Sequence, residues 1–166
     1  VKSGRIATVQ AIGGTGGLKI GADFLKKLDP AAKVLISDPS WENHRALFTN
    51  AGFVVESYRY YDAARRGVNF DGMLADLSAA TPGTIVLLHA CCHNPTGYDI
   101  TPAQWDQVIA VVKAKQLVPF LDMAYQGFGN GIAEDGAVIG KFVAAGLDFF
   151  VSTSFSKSFS LYGERV

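Results

Sequence analysis

Thr84-Ile85-Val86-Leu87-Leu88-His89-Ala90 is the stretch whose reading decides the fold. Its apolar core, Ile85-Val86-Leu87-Leu88, leaves no polar position for either face, the pattern of a strand buried on both sides in a parallel sheet. Working outward, similar runs predict further strands at 5–11, 33–37, 53–59, 118–122 and 148–153. Helix candidates fall between them at 15–28, 41–51, 70–80, 102–115 and 136–145. One helix start is well marked: Thr101 precedes Pro102, and Gln104 stands three residues after Thr101, a capping box. Beyond it Trp105, Val108, Ile109 and Val112 recur at helical spacing and should face the sheet. Strand–helix alternation with short links implies an α/β fold, a doubly wound and mostly parallel sheet flanked by helices and joined by right-handed crossovers. No repeat, low-complexity stretch or linker interrupts the pattern, so one domain or part of one is expected.

Composition narrows the function. The 166 residues are 49% hydrophobic and carry 15 basic and 15 acidic side chains. Zero formal charge argues against electrostatic capture of nucleic acid or of an anionic membrane. The densest basic cluster, Arg65-Arg66, reads as solvated surface. Cys91 and Cys92, the two cysteines, are adjacent. On extended chain neighbours point to opposite faces, so no ordinary disulfide is expected between them. With His93 they lack zinc-site spacing, and no metal is expected. Buried thiols, a reducing compartment and a cytoplasmic location follow as expectations, as no signal peptide or long apolar span is evident. The chain begins at Val1 and stops at Val166 amid sequence that reads as functional, which suggests a piece of a longer protein.

In open α/β sheets ligands bind beyond the carboxyl ends of the strands, so the residues following each strand carry the functional reading. After the first comes Gly13-Gly14-Thr15-Gly16-Gly17, opening a helix whose N-terminus would suit a phosphate, or simply making a tight turn. It matches neither a P-loop nor G-x-G-x-x-G, since Lys19 takes the third glycine's place. After the second comes Asp38-Pro39-Ser40-Trp41-Glu42-Asn43-His44; Trp41 could stack on a planar ring or pack at the helix–sheet junction. The third ends in Tyr58-Arg59-Tyr60-Tyr61, read as packing. After the fourth, Asn94 in the turn Asn94-Pro95-Thr96-Gly97 could aim its amide at a ligand oxygen, while His89 and His93 read as structural. After the fifth, Asp122 ends an apolar run and needs a cationic or hydrogen-bonding partner; a protonated pyridine nitrogen would serve, with Tyr125 donating to a phenolate oxygen. A structural pairing with a nearby loop is the alternative for Asp122. After the last comes Ser154-Phe155-Ser156-Lys157-Ser158-Phe159, with Arg165 eight residues beyond the lysine. A lysine in a hydroxyl-rich turn with an arginine close behind suits a phosphorylated aldehyde.

Taken together, Ser154-Phe155-Ser156-Lys157, Leu161-Tyr162-Gly163-Glu164-Arg165-Val166, Cys92-His93-Asn94-Pro95-Thr96-Gly97 and Asp122-x-Ala124-Tyr125-Gln126-Gly127-Phe128 closely resemble the class I aminotransferases, in the aspartate and aromatic-amino-acid branch. The resemblance runs through essentially the whole chain. It implies the pyridoxal-phosphate transferase fold of type I, with residues 1–166 forming the central part of the cofactor-binding large domain. The small domain and N-terminal arm lie outside it. Lys157 would be the Schiff-base lysine and proton carrier. Asp122 would pair with the pyridinium nitrogen, supported by His44. Tyr125 and Asn94 would bond the ring oxygen, Trp41 would stack on the ring, and Gly14, Thr15, Ser154 and Arg165 would hold the phosphate. Residues matching Trp41 and Asn94 also touch substrate carboxylates in that family.

The implied activity is ping-pong transamination between an aromatic or acidic L-amino acid and 2-oxoglutarate, in a homodimer. The motifs around Trp41 and Lys157 look closer to the aromatic (tyrosine) members. Gly17 stands where many relatives carry alanine, a change expected to be mild. The family's substrate-binding arginines and the partner's phosphate-binding tyrosine fall outside these residues. Two other readings compete: β-elimination or decarboxylation on the same cofactor, and a cofactor-binding fragment without turnover.

Overall fold

The computed structural model describes residues 4–166. Five strands form one fully parallel sheet: β1 (Lys33–Asp38), β2 (Val54–Arg59), β5 (Ile85–His89), β6 (Val118–Met123) and β7 (Phe150–Thr153), in the order β2-β1-β5-β6-β7. A separate two-stranded antiparallel hairpin, β3 (Tyr61–Asp62) with β4 (Gly67–Val68), precedes the third helix. The helices are α1 (Gly13–Leu28), α2 (Glu42–Asn50), α3 (Phe70–Ala79), α4 (Pro102–Ala114), α5 (Ile132–Ala144) and the single turn α6 (Phe155–Ser158).

The sheet separates two apolar layers, and the strands' period of two assigns residues to each. Val34, Ile36, Ile85, Leu87 and Phe120 pack with Leu18, Ala22 and Leu25 of α1 and Leu47 and Phe48 of α2. Their neighbours Leu35, Val86, Leu88 and Leu121 pack with Met73 and Leu77 of α3, Trp105, Val108, Ile109 and Val112 of α4, and Val138 and Phe142 of α5. The sheet is therefore doubly wound, as the apolar runs predict. Gly21 is the close contact between α1 and the sheet: a Cβ there would stand 2.5 Å from Phe120 Cζ.

The capping box of α4 forms in full, Thr101 Oγ1 accepting from Gln104 N and Gln104 Oε1 from Thr101 N. α3 is capped by Asn69, whose Oδ1 accepts from Gly72 N at 3.0 Å. In α5 a residue of the first turn caps from within: Asp135 receives the amides of Gly127, Gly129 and Asn130. These bonds hold its carboxyl below the usual range against the opposing effect of burial.

One predicted strand is absent. Residues 5–11 form no strand, and Ile6 and Val9 lie exposed. A strand needs a hydrogen-bonded ladder, and among the described residues no strand pairs with this segment, although β2 and β7 each leave one edge of the sheet open. The glycine turn at Gly13 thus follows irregular chain. Arg65 and Arg66 are exposed at the hairpin tip, as a solvated cluster should be. Among the described residues no helix is long and apolar enough to cross a membrane.

Candidate active site

Strand order reverses between β1 and β5, and the carboxyl ends there converge on a cavity of about 240 Å³. The register lines up His89, Asp122 and Ser152 across β5, β6 and β7. Each stands two residues past a residue packed in the layer under α1 and α2, namely Leu87, Phe120 and Phe150. Side chains two apart share a face, so this polar row is the continuation of the core row toward solvent.

Asp122 is 7% exposed, and its Oδ2 lies 2.8 Å from His44 Nε2. His44 is fully buried on α2, and its Nδ1 meets Ser40 Oγ at 2.9 Å. Among the described residues the buried carboxylate thus has one hydrogen-bonding partner, and it faces the cavity with the rest of its acceptor capacity. Trp41, the N-cap residue of α2, lines the cavity with its ring edge-on to His44, centroids 5.2 Å apart.

On the opposite side of the strand ends, Ser154 caps α6 by accepting from Ser156 N at 3.2 Å, which sets Lys157 into the cavity wall. Lys157 Nζ stands 4.9 Å from the centroid of the Tyr125 ring, a cation–π contact. It forms no hydrogen bond or ion pair with the described residues. The Asn94 side chain likewise faces the cavity with no bond to the described residues.

A third group of donors surrounds the start of α1. Gly13 has φ +64, and its amide donates to Arg165 O at 2.8 Å. A Cβ at Gly13 would lie 2.7 Å from Arg165 Nη2, so glycine admits the guanidinium alongside the helix entry. Arg165 has no carboxylate partner among the described residues; its Nη1 donates to Tyr162 O at 3.3 Å. With the Gly13 amide given to Arg165 O and that of Gly16 to Ile12 O, the amides of Gly14 and Thr15 remain at the start of α1, and with Arg165 and the Thr15 hydroxyl they make an anion-binding group; Ser154, whose hydroxyl donates to Val166 O at 3.2 Å, borders it. Gly17 belongs to the same packing: a Cβ there would stand 2.7 Å from Ser152 Oγ, which donates to Gly14 O.

The cavity therefore brings together nine of the ten residues singled out from the sequence: Gly14, Thr15, Trp41, Asn94, Asp122, Tyr125, Ser154, Lys157 and Arg165. His44, the tenth, stands behind Asp122. Ser156, Tyr162, Cys91 and His89 line it too without having been singled out. The alternation Ser-x-Ser-Lys was a usable signal for Ser156.

His89 lines the cavity wall. Both its ring nitrogens are buried without a hydrogen-bond partner among the described residues, and burial, with His93 and His44 nearby, holds its pKa well below the usual range. The two cysteines do not lie on extended chain. Cys92 has φ +50, so the chain is not extended there, and both thiols and an Asp135 carboxylate oxygen fall within 4.8 Å of one another. Both thiols are free, Cys91 buried and Cys92 half-buried, and burial raises their pKa values. Asp135 is already committed to three amides, which weakens the case for a metal there. His44, His89 and Asp122 form a second such cluster, but its His44–Asp122 bond already joins two of the three donors.

A buried acceptor, a free amine, a flat aromatic wall and an anion cradle in one cavity fit a small phosphorylated aromatic aldehyde that carries a basic ring nitrogen. Comparison with known proteins agrees. The family model for aminotransferase class I and II matches residues 1–166. The chain is 67% identical over 164 residues to an aspartate aminotransferase of Pseudomonas aeruginosa, covering 99% of this chain and 41% of that protein. It is 57% identical over 166 residues to a tyrosine aminotransferase of Klebsiella pneumoniae, covering all of this chain and 42% of the relative. Among solved structures, the aromatic-amino-acid aminotransferase of Burkholderia pseudomallei, covalently bound to pyridoxal phosphate, superposes with a TM-score of 0.98 at 69% identity. That match covers 99% of this chain and 41% of the other.

Proposed function

The chain belongs to the class I and II aminotransferases, and from that premise we propose that the longer protein is a pyridoxal-phosphate-dependent transaminase, exchanging an amino group between an aromatic or acidic L-amino acid and 2-oxoglutarate. The 166 residues supply the central part of its large, cofactor-binding domain, and the protein works as a homodimer. One observation carries the reading: the unpaired Lys157 amine and the buried, His44-bonded Asp122 carboxylate line a single cavity with an anion cradle.

Bound pyridoxal phosphate supplies an aldehyde that captures amines covalently and a protonated ring that accepts the electron pair left at the substrate α-carbon. The remaining work falls to this chain. Arg165, the Thr15 hydroxyl and the Gly14 and Thr15 amides hold the phosphate, with Ser154 at its border; the charge on Arg165 makes its bonds charge-assisted. Asp122 accepts from the ring N–H and keeps it positive, and His44 fixes the carboxylate so that an oxygen faces the cavity. Tyr125 and Asn94 present a phenol and an amide donor to the ring's phenolic oxygen. Trp41 covers one flat face and excludes water from it. Lys157 Nζ is the amine that would hold the aldehyde group, and when free it would carry the proton taken from the substrate α-carbon.

The test is Lys157→Ala in the full-length enzyme. Loss of at least roughly 10²–10⁴-fold in turnover, the range of a positioned general base, is expected, together with loss of the borohydride-fixed label that mass spectrometry should place on Lys157. Unchanged transamination would refute the reading.

A further inference from the structure

Ser152 ends the strand-end row His89, Asp122 and Ser152 on the side where α1 packs. It is 4% exposed, so its hydroxyl needs a partner inside the protein. It finds one in the first turn of α1, donating to Gly14 O at 3.1 Å. The rotamer that makes this bond exists because residue 17 has no side chain: a Cβ on Gly17 would stand 2.7 Å from Ser152 Oγ. An alanine there would drive the hydroxyl out of that staggered well or push α1 away from β7, and either loses the bond.

What lies across the same peptide ties this bond to the anion cradle. The Gly14 carbonyl and the Thr15 N–H belong to one planar trans peptide and point in opposite directions. Fixing the oxygen therefore fixes the direction of the N–H. Gly14 and Thr15 both line the cavity. Neither amide has a partner among the described residues, whereas those on either side are taken, Gly13 N by Arg165 O and Gly16 N by Ile12 O. Of the two backbone donors left for an anion, one shares its peptide with the oxygen that Ser152 holds.

We infer that Ser152 is a positioning residue for the phosphate site and that Gly17 is the condition for it. The missing Cβ admits the hydroxyl, the hydroxyl holds the Gly14–Thr15 peptide, and the peptide presents its N–H to the phosphate. This rests on the functional reading given above, in which the cofactor's phosphate sits at the start of α1. It also opposes helix propensity. Alanine is the better helix former, so propensity alone makes Gly17→Ala favourable; the contact with Ser152 makes it costly to phosphate binding.

The test compares binding of pyridoxal phosphate and of pyridoxal, which lacks the phosphate, to the cofactor-free full-length enzyme as wild type, Ser152→Ala, Gly17→Ala and the double variant. Ser152→Ala should weaken pyridoxal phosphate roughly three- to tenfold, the scale of one hydrogen bond, and leave pyridoxal unchanged. Gly17→Ala should do the same, since it removes the same bond. The double variant should then lose no more than either single one. Additive losses, an unmoved ratio of the two affinities in either single variant, or equal weakening of both ligands overturns the inference. Should Ser152→Ala fail to fold, Ser152→Cys replaces it, a side chain of similar shape with a weaker donor. A smaller loss confined to the phosphorylated ligand is expected there, and a ratio at the wild-type value contradicts the proposal. A wild-type enzyme that holds pyridoxal as tightly as pyridoxal phosphate would sink the functional reading's phosphate site, and this inference with it; a wild-type preference that neither variant alters sinks this inference alone.

Discussion

Replacing His44 with leucine removes the protein partner of Asp122 while nearly keeping the side-chain volume. His44 is completely buried and its Nε2 lies 2.8 Å from Asp122 Oδ2, a short charge-assisted contact. Asp122 is itself 7% exposed, so water cannot readily take the place of the imidazole. Breaking a buried pair from one side costs about 3–5 kcal/mol, chiefly because the surviving charge is left unpaired. Ser40, half-buried, can turn its hydroxyl to solvent and adds little. If the unpaired charge is the cause, neutralising it should restore stability. In the double variant His44→Leu/Asp122→Asn the remaining cost is that of a neutral polar group without a partner, about 1–3 kcal/mol. The doubly substituted protein should thus be roughly 2 kcal/mol more stable than the singly substituted one. Urea denaturation of the cofactor-free full-length protein measures both. Equal or additive losses, or a single-variant loss within about 0.5 kcal/mol of wild type, would refute the argument that Asp122 is a buried charge dependent on His44.

Gly13→Ala should force the Arg165 guanidinium away, since the new Cβ would meet Nη2 at 2.7 Å at a backbone φ of +64. Binding of pyridoxal phosphate should weaken by roughly tenfold or more, the loss of one charge-assisted bond, while pyridoxal without phosphate binds as before; equal losses for both ligands would contradict the assignment of the anion cradle. His93 predicts a pH dependence. Its folded pKa, about 4, lies below the ordinary 6.5, so between those values the unfolded chain binds the proton and the folded one does not. Stability contributed by the neutral ring is then complete above pH 6.5 and is lost as pH falls toward 4, by at most about 3 kcal/mol. Denaturation midpoints of wild type and His93→Gln across that window should converge toward the acid end, and parallel curves would count against it.

The double winding was legible because it is written in periodicity. Ile85, Val86, Leu87 and Leu88 alternate between the two helical layers, and all four are buried. Local chemistry was equally readable where neighbours in sequence are partners in space, as in the Thr101–Gln104 box. Residues 5–11 misled because alternation states only that a segment could be a strand, while the ladder that makes it one depends on a neighbour far along the chain. The hairpin at Tyr61–Val68 was missed for the opposite reason: strands of two residues carry no period at all. The turn at Cys92 was not legible because a positive φ outside glycine is dictated by the surrounding loop, here by Asp99 accepting the Cys92 and His93 amides. That both ring nitrogens of His89 lack a partner among the described residues depends on packing across three strands and could not be read from its place at a strand end.

The site follows from register as much as from residue identity. His89, Asp122 and Ser152 are paired across three strands, one step beyond the apolar row Leu87, Phe120 and Phe150. Sliding β6 by one residue would turn Asp122 toward the layer under α3, α4 and α5, away from His44, and would expose Phe120 to that same reversal. The register that buries Phe120 against Phe48 and Gly21 is therefore the register that presents Asp122 to the cavity. Core packing and cavity geometry are one constraint here. Relatives named for aspartate, tyrosine and aromatic amino acids match this chain at 57–69% identity. The sheet sets the position of the cavity-facing carboxylate, and any preference among amino acids has to be built onto that fixed frame.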